Sequence, residues 1–186
     1  MRQVIDWLEG SGGVRVRSAL LEEATALSDL ALASKGVWGY DAAFLEQCRE
    51  ELSVTPADIA SLVVEVADEG PGQPPLGFFV LDPGSPDARL DKLYVAPAHV
   101  RRGVGTRLWA AALRHAAARG AHTLTWEADP HAVPFYARRG AVEIGRAPSG
   151  SIPGRTLPVM RVSVLGQPIG DPLSMVKQEG AADGGH

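Results

Sequence analysis

The sequence predicts a mixed α/β fold, in which a central, mostly antiparallel sheet of six to seven strands carries helices on both faces. Two observations support this fold class. The apolar period switches repeatedly between that of strands and that of helices, and Gly/Pro clusters mark short connections between strand-like runs. The predicted order is strand, two helices, three strands, helix, strand, helix and two strands, which places helices around one mixed sheet.

The first elements are one strand and two helices. VRVRSA alternates with period two, as a half-buried strand does. Apolar residues then recur at helical spacing through SALLEEATALSDLALAS. Asp41 is suited to cap a second helix, AAFLEQCREEL, and the segment VTPADIAS reads as a short capped turn.

The middle of the chain contains three strands. They are LVVEVA, LGFFVLD and ARLDKLYVAP, and they are separated by DEGPGQPP and PGSPD. Gly/Pro clusters of this length are typical of hairpin connections. We therefore expect an antiparallel meander.

The last elements return to an alternation of helix and strand. GTRLWAAALRHAAARG has one apolar stripe at helical spacing, TLTWEA is a buried strand, and AVPFYARRG is a short helix. AVEIGRA and LPVMRVSV are the final two strands. No internal repeat is apparent.

Composition divides the chain into three parts. We expect a leader at 1–12, one domain at 13–165, and a flexible tail at 166–186 that lacks apolar periodicity. The net charge of -4 and the isoelectric point near 5.7 argue against a nucleic-acid partner. The single cysteine, Cys48, excludes an internal disulfide and fits a reducing compartment. No secretion signal or membrane-length apolar run is present, so we expect a cytoplasmic protein without a membrane partner.

The most informative stretch is HVRRGVGTRLW, at the junction between a predicted strand and a predicted helix. Gly103 and Gly105 keep side chains away from the free N–H groups of the first helical turn, where the helix dipole also favours an anion. Arg101 and Arg102 add positive charge. The motif fits neither a P-loop nor a Rossmann fingerprint. On the residues alone, it is a candidate phosphate site, with an ordinary glycine-rich turn as the alternative.

Two motifs together resemble the GNAT acetyltransferase superfamily. The first is LDKLYVAPAHVRRGVGTRLW, and the second is VPFYARRG. One position departs from the family pattern, because Val100 stands where Arg or Gln is usual. The resemblance covers about 13–165 in the order of elements and about 88–145 in residue detail.

The resemblance implies an acyl-CoA N-acyltransferase fold, acetyl-CoA as the acyl donor and a primary amine as the acceptor. It implies that the strand before the glycine motif holds the pantetheine arm, that the motif holds the pyrophosphate, and that the FY helix and the turn before it complete the donor site. Instead of binding the donor, His131 could cap that helix. The donor-binding residues expected from the resemblance are Leu93, Tyr94, Val95, Arg101, Arg102, Gly103, Val104, Gly105, Thr106, Asp129, His131 and Tyr136.

The resemblance also suggests catalytic roles. Tyr136 is expected to protonate the departing CoA thiolate, with simple packing of the short helix as the alternative. The general base is less well defined: Asp91 is our first candidate, Glu65 and Glu127 are alternatives, and deprotonation through water is a further one. The N–H of Val95 is expected to polarise the thioester.

The acceptor site is expected in the variable loops. Trp38 and Tyr40 are candidate walls of a pocket for a small-molecule amine, with a lid over the core as the alternative. The connection GRAPSGSIPGRTLP is the second candidate region. A protein or peptide amine, a non-catalytic acyl-CoA-binding module and a homodimer are left open. The histidines have no metal-ligand spacing, so no metal is expected.

Overall fold

The computed structural model describes residues 13–165, so the predicted leader and tail lie outside the described residues. The strands are β1 Arg15–Ser18, β2 Val63–Asp68, β3 Gly77–Asp82, β4 Asp87–Val95, β5 Thr123–Glu127, β6 Val142–Pro148 and β7 Thr156–Ser163. The helices are α1 Ala24–Gly36, α2 Ala42–Leu52, α3 Pro56–Ser61, α4 Val104–Ala118 and α5 Val133–Ala137.

The strands form one mostly antiparallel sheet in the order β1-β2-β3-β4-β5-β7-β6. The pair β4 and β5 is parallel, and all other neighbours are antiparallel. The predicted meander of β2, β3 and β4 is confirmed. The final strand inserts between β5 and β6, an order that the spacing of the strands did not indicate.

Apolar side chains pack on both faces of the sheet, as predicted. On one face, Phe79 lies with Leu108 of α4 and Tyr136 of α5 in one buried cluster. On the other face, Phe78 lies in a second cluster with Cys48 of α2. Alternate residues of β3 therefore supply both cores, which explains why this strand reads as a continuous apolar run.

Local hydrogen bonds set the ends of the first helices. Asp41 accepts the N–H of Phe44 at 2.8 Å, so the predicted cap of α2 is confirmed. The first helix begins later than its apolar pattern predicted, at Ala24. Glu23 accepts hydrogen bonds from the Arg17 guanidinium and from the Leu20 N–H, and these contacts hold the preceding residues in a 3-10 turn.

Strands β4 and β5 diverge after a short parallel contact. Their last pair joins Arg89 to Thr125, and no further pair connects the two strands within residues 13–165. On its other edge, β4 stays paired with β3 as far as Val95. The pairing with β3 shifts register so that Leu90 and Lys92 have partners, which makes Asp91 the extra residue of a β-bulge. The divergence opens a cleft in the sheet beside this bulge.

Candidate active site

The cleft between β4 and β5 has a volume of about 1420 Å³ and extends from the bulge to the start of α4. Most of the residues expected from the sequence lie along it. Those that line it are Trp38, Asp91, Leu93, Tyr94, Val95, Arg101, Gly103, Gly105, Thr106, Asp129, His131 and Tyr136.

Four residues that were predicted from the sequence for the site do not line the cleft. The side chain of Val104 is buried in the core, Arg102 is exposed, and neither lines the cleft. Tyr40 packs behind the cleft wall rather than on it. Of the alternative bases, Glu127 lines the cleft, whereas the Glu65 carboxylate lies outside it and contacts His115 Nε2 at 2.8 Å.

Backbone groups of β4 face the cleft. The N–H of Ala96 donates to the carbonyl of Leu76 at 2.8 Å, which directs this residue toward the β3 side. Because N–H and C=O directions alternate along a strand, those of Val95 and Leu93 point the opposite way. Among residues 13–165, the cleft-facing backbone groups of Leu93 and Val95 therefore have no strand partner, whereas the backbone of Tyr94 is directed toward β3.

The glycine motif forms the open end of the cleft. Gly103 is the N-cap of α4 with a φ of 80°, in the left-handed region that glycine adopts without strain. The first helical bond runs from the Arg107 N–H to the Gly103 carbonyl at 3.1 Å. The N–H groups of Val104, Gly105 and Thr106 thus have no partner among residues 13–165, and they form an anion site with the positive end of the helix dipole.

The side chain of Arg139 joins α5 to the start of α4. It donates to the Phe135 carbonyl at 2.7 Å and to Thr106 Oγ1 at 2.6 Å, and its guanidinium lies 3.8 Å from the centre of the Phe135 ring. Gly105 packs against the same ring, because a Cβ atom there would lie 3.4 Å from it. With Arg138, which also lines the cleft, Arg139 adds positive charge that the sequence reasoning missed. The sequence signal for these two residues was the pair of arginines that follows FYA.

Three aromatic rings meet near the closed end of the cleft. The rings of Trp126 and Tyr136 have centroids 4.7 Å apart, and Trp109 lies 5.2 Å from Trp126 and 5.3 Å from Tyr136. Burial raises the pKa of Tyr136 well above its ordinary value, so the phenol keeps its proton at neutral pH. It can act as an acid but not as a phenolate.

Two carboxylates border this part of the cleft. Asp91 lies in the bulge, and its side chain contacts Lys92 Nζ at 2.5 Å. Glu127 lies opposite on β5 and contacts Arg89 at 3.3 Å. Both side chains remain accessible to solvent, so either could accept a proton from an incoming amine.

The far wall of the cleft is supported by the hydrogen bonds that converge on Asp129, a group that we call the carboxylate hub. Asp129 accepts hydrogen bonds from Tyr40 Oη at 3.0 Å, Lys35 Nζ at 3.3 Å, Arg155 Nη2 at 3.4 Å and the His131 N–H at 3.1 Å. Burial alone would raise the pKa of Asp129, but the His131 N–H and the Lys35 charge outweigh it and lower that pKa. The carboxylate is therefore ionised at neutral pH.

The sequence contained one signal for this hub. Leu27, Ala31 and Lys35 follow each other at four-residue spacing on the buried stripe of α1, and all three are buried. A lysine on such a stripe needs a partner. Arg155 had no comparable signal, because its partners lie in distant parts of the chain.

Two loops meet over the hub. The rings of Trp38 and His131 stack with centroids 5.1 Å apart and planes inclined by 6°. The β6–β7 connection, which we expected to shape the acceptor pocket, packs on α2 through Ser151 Oγ, 3.4 Å from Cys48 Sγ. The two loops in which we expected the acceptor site therefore both contact Asp129, through Tyr40 and Arg155.

The chain belongs to the GNAT acetyltransferase family. Residues 24–141 match the family described as Acetyltransferase (GNAT) family, which is more than half of the 186 residues. No curated protein matches the chain.

Solved structures share this fold. A GCN5-related N-acetyltransferase from Rhodopseudomonas palustris is 31% identical, with a TM-score of 0.67 over 82% of this chain and 96% of that one. The PaiA N-acetyltransferase from Thermoplasma acidophilum, solved in complex with coenzyme A, is 18% identical, with a TM-score of 0.66 over 81% and 99%. YncA from Salmonella typhimurium, solved with acetyl-CoA, is 16% identical, with a TM-score of 0.57 over 82% and 95%.

Two features are absent from residues 13–165. No helix in this part of the chain is long and apolar enough to cross a membrane. It also contains no group of three or more His, Cys, Asp or Glu side chains that could hold a metal ion.

Proposed function

We propose that this acetyltransferase moves an acetyl group from acetyl-CoA to the primary amine of a small-molecule acceptor, by direct attack in a ternary complex. One observation carries the proposal. In the described part of the chain, the edge of β4 without a strand partner leads to the N–H groups without a partner at the start of α4. This arrangement fits a ligand with an extended amide-containing arm and a pyrophosphate, as acyl-CoA has.

The residues present fit the donor along its length. The backbone groups of Leu93 and Val95 would bond the pantetheine amides as an added strand does. The N–H groups from Val104 to Thr106 would hold the pyrophosphate, with Arg101 and Arg138 as nearby charges. Since this grip is mainly through the backbone, Val100 in the first signature position is compatible with binding.

The proposed transfer needs one base and one acid. Asp91, directly or through water, takes a proton from the ammonium form of the acceptor, and the neutral amine nitrogen then forms a bond to the thioester carbon and releases its second proton to solvent. The carbon–sulfur bond breaks, and Tyr136 donates its proton to the departing thiolate. The Val95 N–H stabilises the developing charge on the carbonyl oxygen. Solvent then returns a proton to Tyr136 and removes one from Asp91.

The acceptor is proposed to enter past Trp38, which lines the cleft mouth near the stacked His131 ring. A cleft of this size shared with the donor favours a small amine over a folded protein.

The cytoplasmic location and a homodimer stay predictions from the sequence.

A second candidate function is acyl-CoA binding without turnover. The contact between Asp91 and Lys92 favours it, because the carboxylate is already engaged by an ammonium group in the absence of an acceptor. In this case the protein would act as a sensor or an interaction module.

Two measurements test these proposals. Thermal unfolding of the full chain is followed with acetyl-CoA, AMP and NAD, and we expect stabilisation by acetyl-CoA alone. Release of free CoA thiol is then followed over a panel of amines. Absence of stabilisation by acetyl-CoA would reject the donor. Stabilisation without thiol release for any amine would favour the binding module.

A further inference from the structure

We propose that the indole N–H of Trp126 donates a hydrogen bond to a carbonyl oxygen of the acylated pantetheine arm. The observation is an unsatisfied donor: Trp126 Nε1 is the one buried side-chain nitrogen or oxygen atom without a hydrogen-bond partner in the described part of the chain. The inference rests on the proposed function, because it names a residue that would bind the proposed donor.

A buried donor without a partner is costly. Leaving an N–H unpaired away from water destabilises the folded state, and most buried polar side-chain atoms in folded proteins have a partner. The side chain of Trp126 is almost fully buried, with 4% of the residue exposed. A partner is therefore expected from outside the described chain, and Trp126 is among the residues that line the cleft.

The position of Trp126 in the cleft indicates which part of the ligand it would contact. Arg89 and Thr125 form the last pair between β4 and β5, and Trp126 is the next residue of β5. It therefore lies at the closed end of the divergence, whereas the glycine motif lies at the open end. A donor molecule whose pyrophosphate sits at Gly103 would extend its thioester arm toward Trp126.

The chemistry of the indole narrows the contact further. An indole nitrogen donates one hydrogen bond and accepts none, so its partner must be an acceptor. The acylated pantetheine arm carries amide and thioester carbonyl oxygens, which are acceptors of this kind. A phosphate is excluded by position, because it belongs at the helix start.

The surroundings hold the indole in place. Trp126 packs against Trp109 and Tyr136, and across the sheet it pairs with the buried Met160 of β7. A side chain fixed in this way loses little freedom when it binds a ligand. Its neighbour Tyr136 is the proposed acid, so a bond from Trp126 would also place the thioester beside that hydroxyl.

Nuclear magnetic resonance tests the contact directly. The full chain is labelled with nitrogen-15, and the Trp126 indole resonance is identified by its loss in Trp126→Phe. We expect this resonance to move downfield with acetyl-CoA and to stay in place with adenosine 3′,5′-bisphosphate, which lacks the pantetheine arm. A Trp126 resonance that does not respond to bound acetyl-CoA would overturn the inference.

Affinity gives an independent measurement. Trp126→Phe keeps an aromatic ring and removes the N–H, so we expect acetyl-CoA to bind about five- to tenfold more weakly, with unchanged affinity for the bisphosphate. Met160→Leu is the matched control: it repacks the neighbour of Trp126, keeps the N–H, and should bind acetyl-CoA like the wild type. Equal acetyl-CoA affinity of Trp126→Phe and wild type would also overturn the inference. If wild-type protein fails to bind acetyl-CoA, the proposed function itself is rejected.

Discussion

The hydroxyl of Tyr40, between α1 and α2, donates to the carboxylate of Asp129, just after β5, at 3.0 Å. Lys35 and Arg155 contact the same carboxylate from α1 and from the residue before β7. Segments that are far apart in the chain thus meet at one ionised group behind the cleft wall. Asp129, which we expected to bind the donor, also connects the two loops in which we expected the acceptor site.

Removing the charge of this hub should destabilise the fold. In Asp129→Asn, Lys35 and Arg155 would lose their shared counter-ion while remaining mostly buried. We expect the free energy of unfolding in urea to fall by about 2 kcal/mol, below the range for fully buried pairs because these groups are partly accessible. Glu46→Gln, which breaks an exposed pair with Arg49, is the control and should leave the urea midpoint unchanged. An Asp129→Asn protein as stable as wild type would show that the hub does not support the fold.

The same carboxylate predicts a pH dependence. Its pKa is lowered in the folded state, so its stabilising contribution is fully present above the ordinary aspartate value of about 3.9 and is lost as pH falls through the folded value. The difference in unfolding free energy between wild type and Asp129→Asn should be constant near neutral pH and should narrow below about pH 4. Urea titrations at several pH values measure it. A difference that widens in acid would contradict the lowered pKa.

Features fixed by local chemistry were predicted well from the sequence. The second helix, Ala42–Leu52, was predicted with its bounds, because Asp41 supplies its cap and the apolar period runs without interruption. The start of α4 at Gly103 was predicted because a change from strand to helical period and a free helix start are properties of a few consecutive residues. The strands were identified from their apolar period and from the Gly/Pro clusters that separate them.

Features that depend on distant residues were not predicted. The insertion of β7 between β5 and β6 depends on which strands pair, and sequence spacing does not determine that. Tyr40 was a candidate pocket wall, with a lid over the core as the alternative, because its loop presents aromatic side chains; nothing in that loop indicated the contacts of its hydroxyl with Asp129 and Arg155. The unsatisfied nitrogen of Trp126 became visible only after its neighbours were placed.

The glycine at the start of α4 should be needed for donor binding. Gly103 has a φ of 80°, and an alanine there would cost about 1 kcal/mol or more in strain or would shift the loop. We expect Gly103→Ala to weaken acetyl-CoA binding by about tenfold, because the adjacent N–H groups would move. Calorimetric titration measures it.

Gly145 provides the matched control for this substitution. It has no atom within 4 Å of an added Cβ and lies on the exposed β6. Gly145→Ala should therefore bind acetyl-CoA like the wild type. If Gly103→Ala also binds with wild-type affinity, the phosphate does not sit at this turn.

The two cleft carboxylates can be separated as candidate bases. Asp91→Asn should lower kcat by about 100-fold if Asp91 accepts the amine proton, while Glu127→Gln should leave kcat nearly unchanged. Steady-state rates are measured with an amine found in the thiol-release screen, at saturating acetyl-CoA. Loss of activity in Glu127→Gln but not in Asp91→Asn would show that Glu127 of β5 is the base. Wild-type rates in both variants would favour deprotonation through water.

The role of Tyr136 has the sharpest kinetic signature. In Tyr136→Phe the ring that packs between Trp109 and Trp126 remains, so acetyl-CoA affinity and stability should stay close to wild type. Loss of the proton donor should lower kcat by about 100-fold. Because burial raises the pKa of this phenol, the wild-type rate should not decline through ionisation of Tyr136 up to about pH 10, the ordinary tyrosine value. A variant that keeps full kcat would mean that the hydroxyl is a packing group and that the thiolate takes its proton from water.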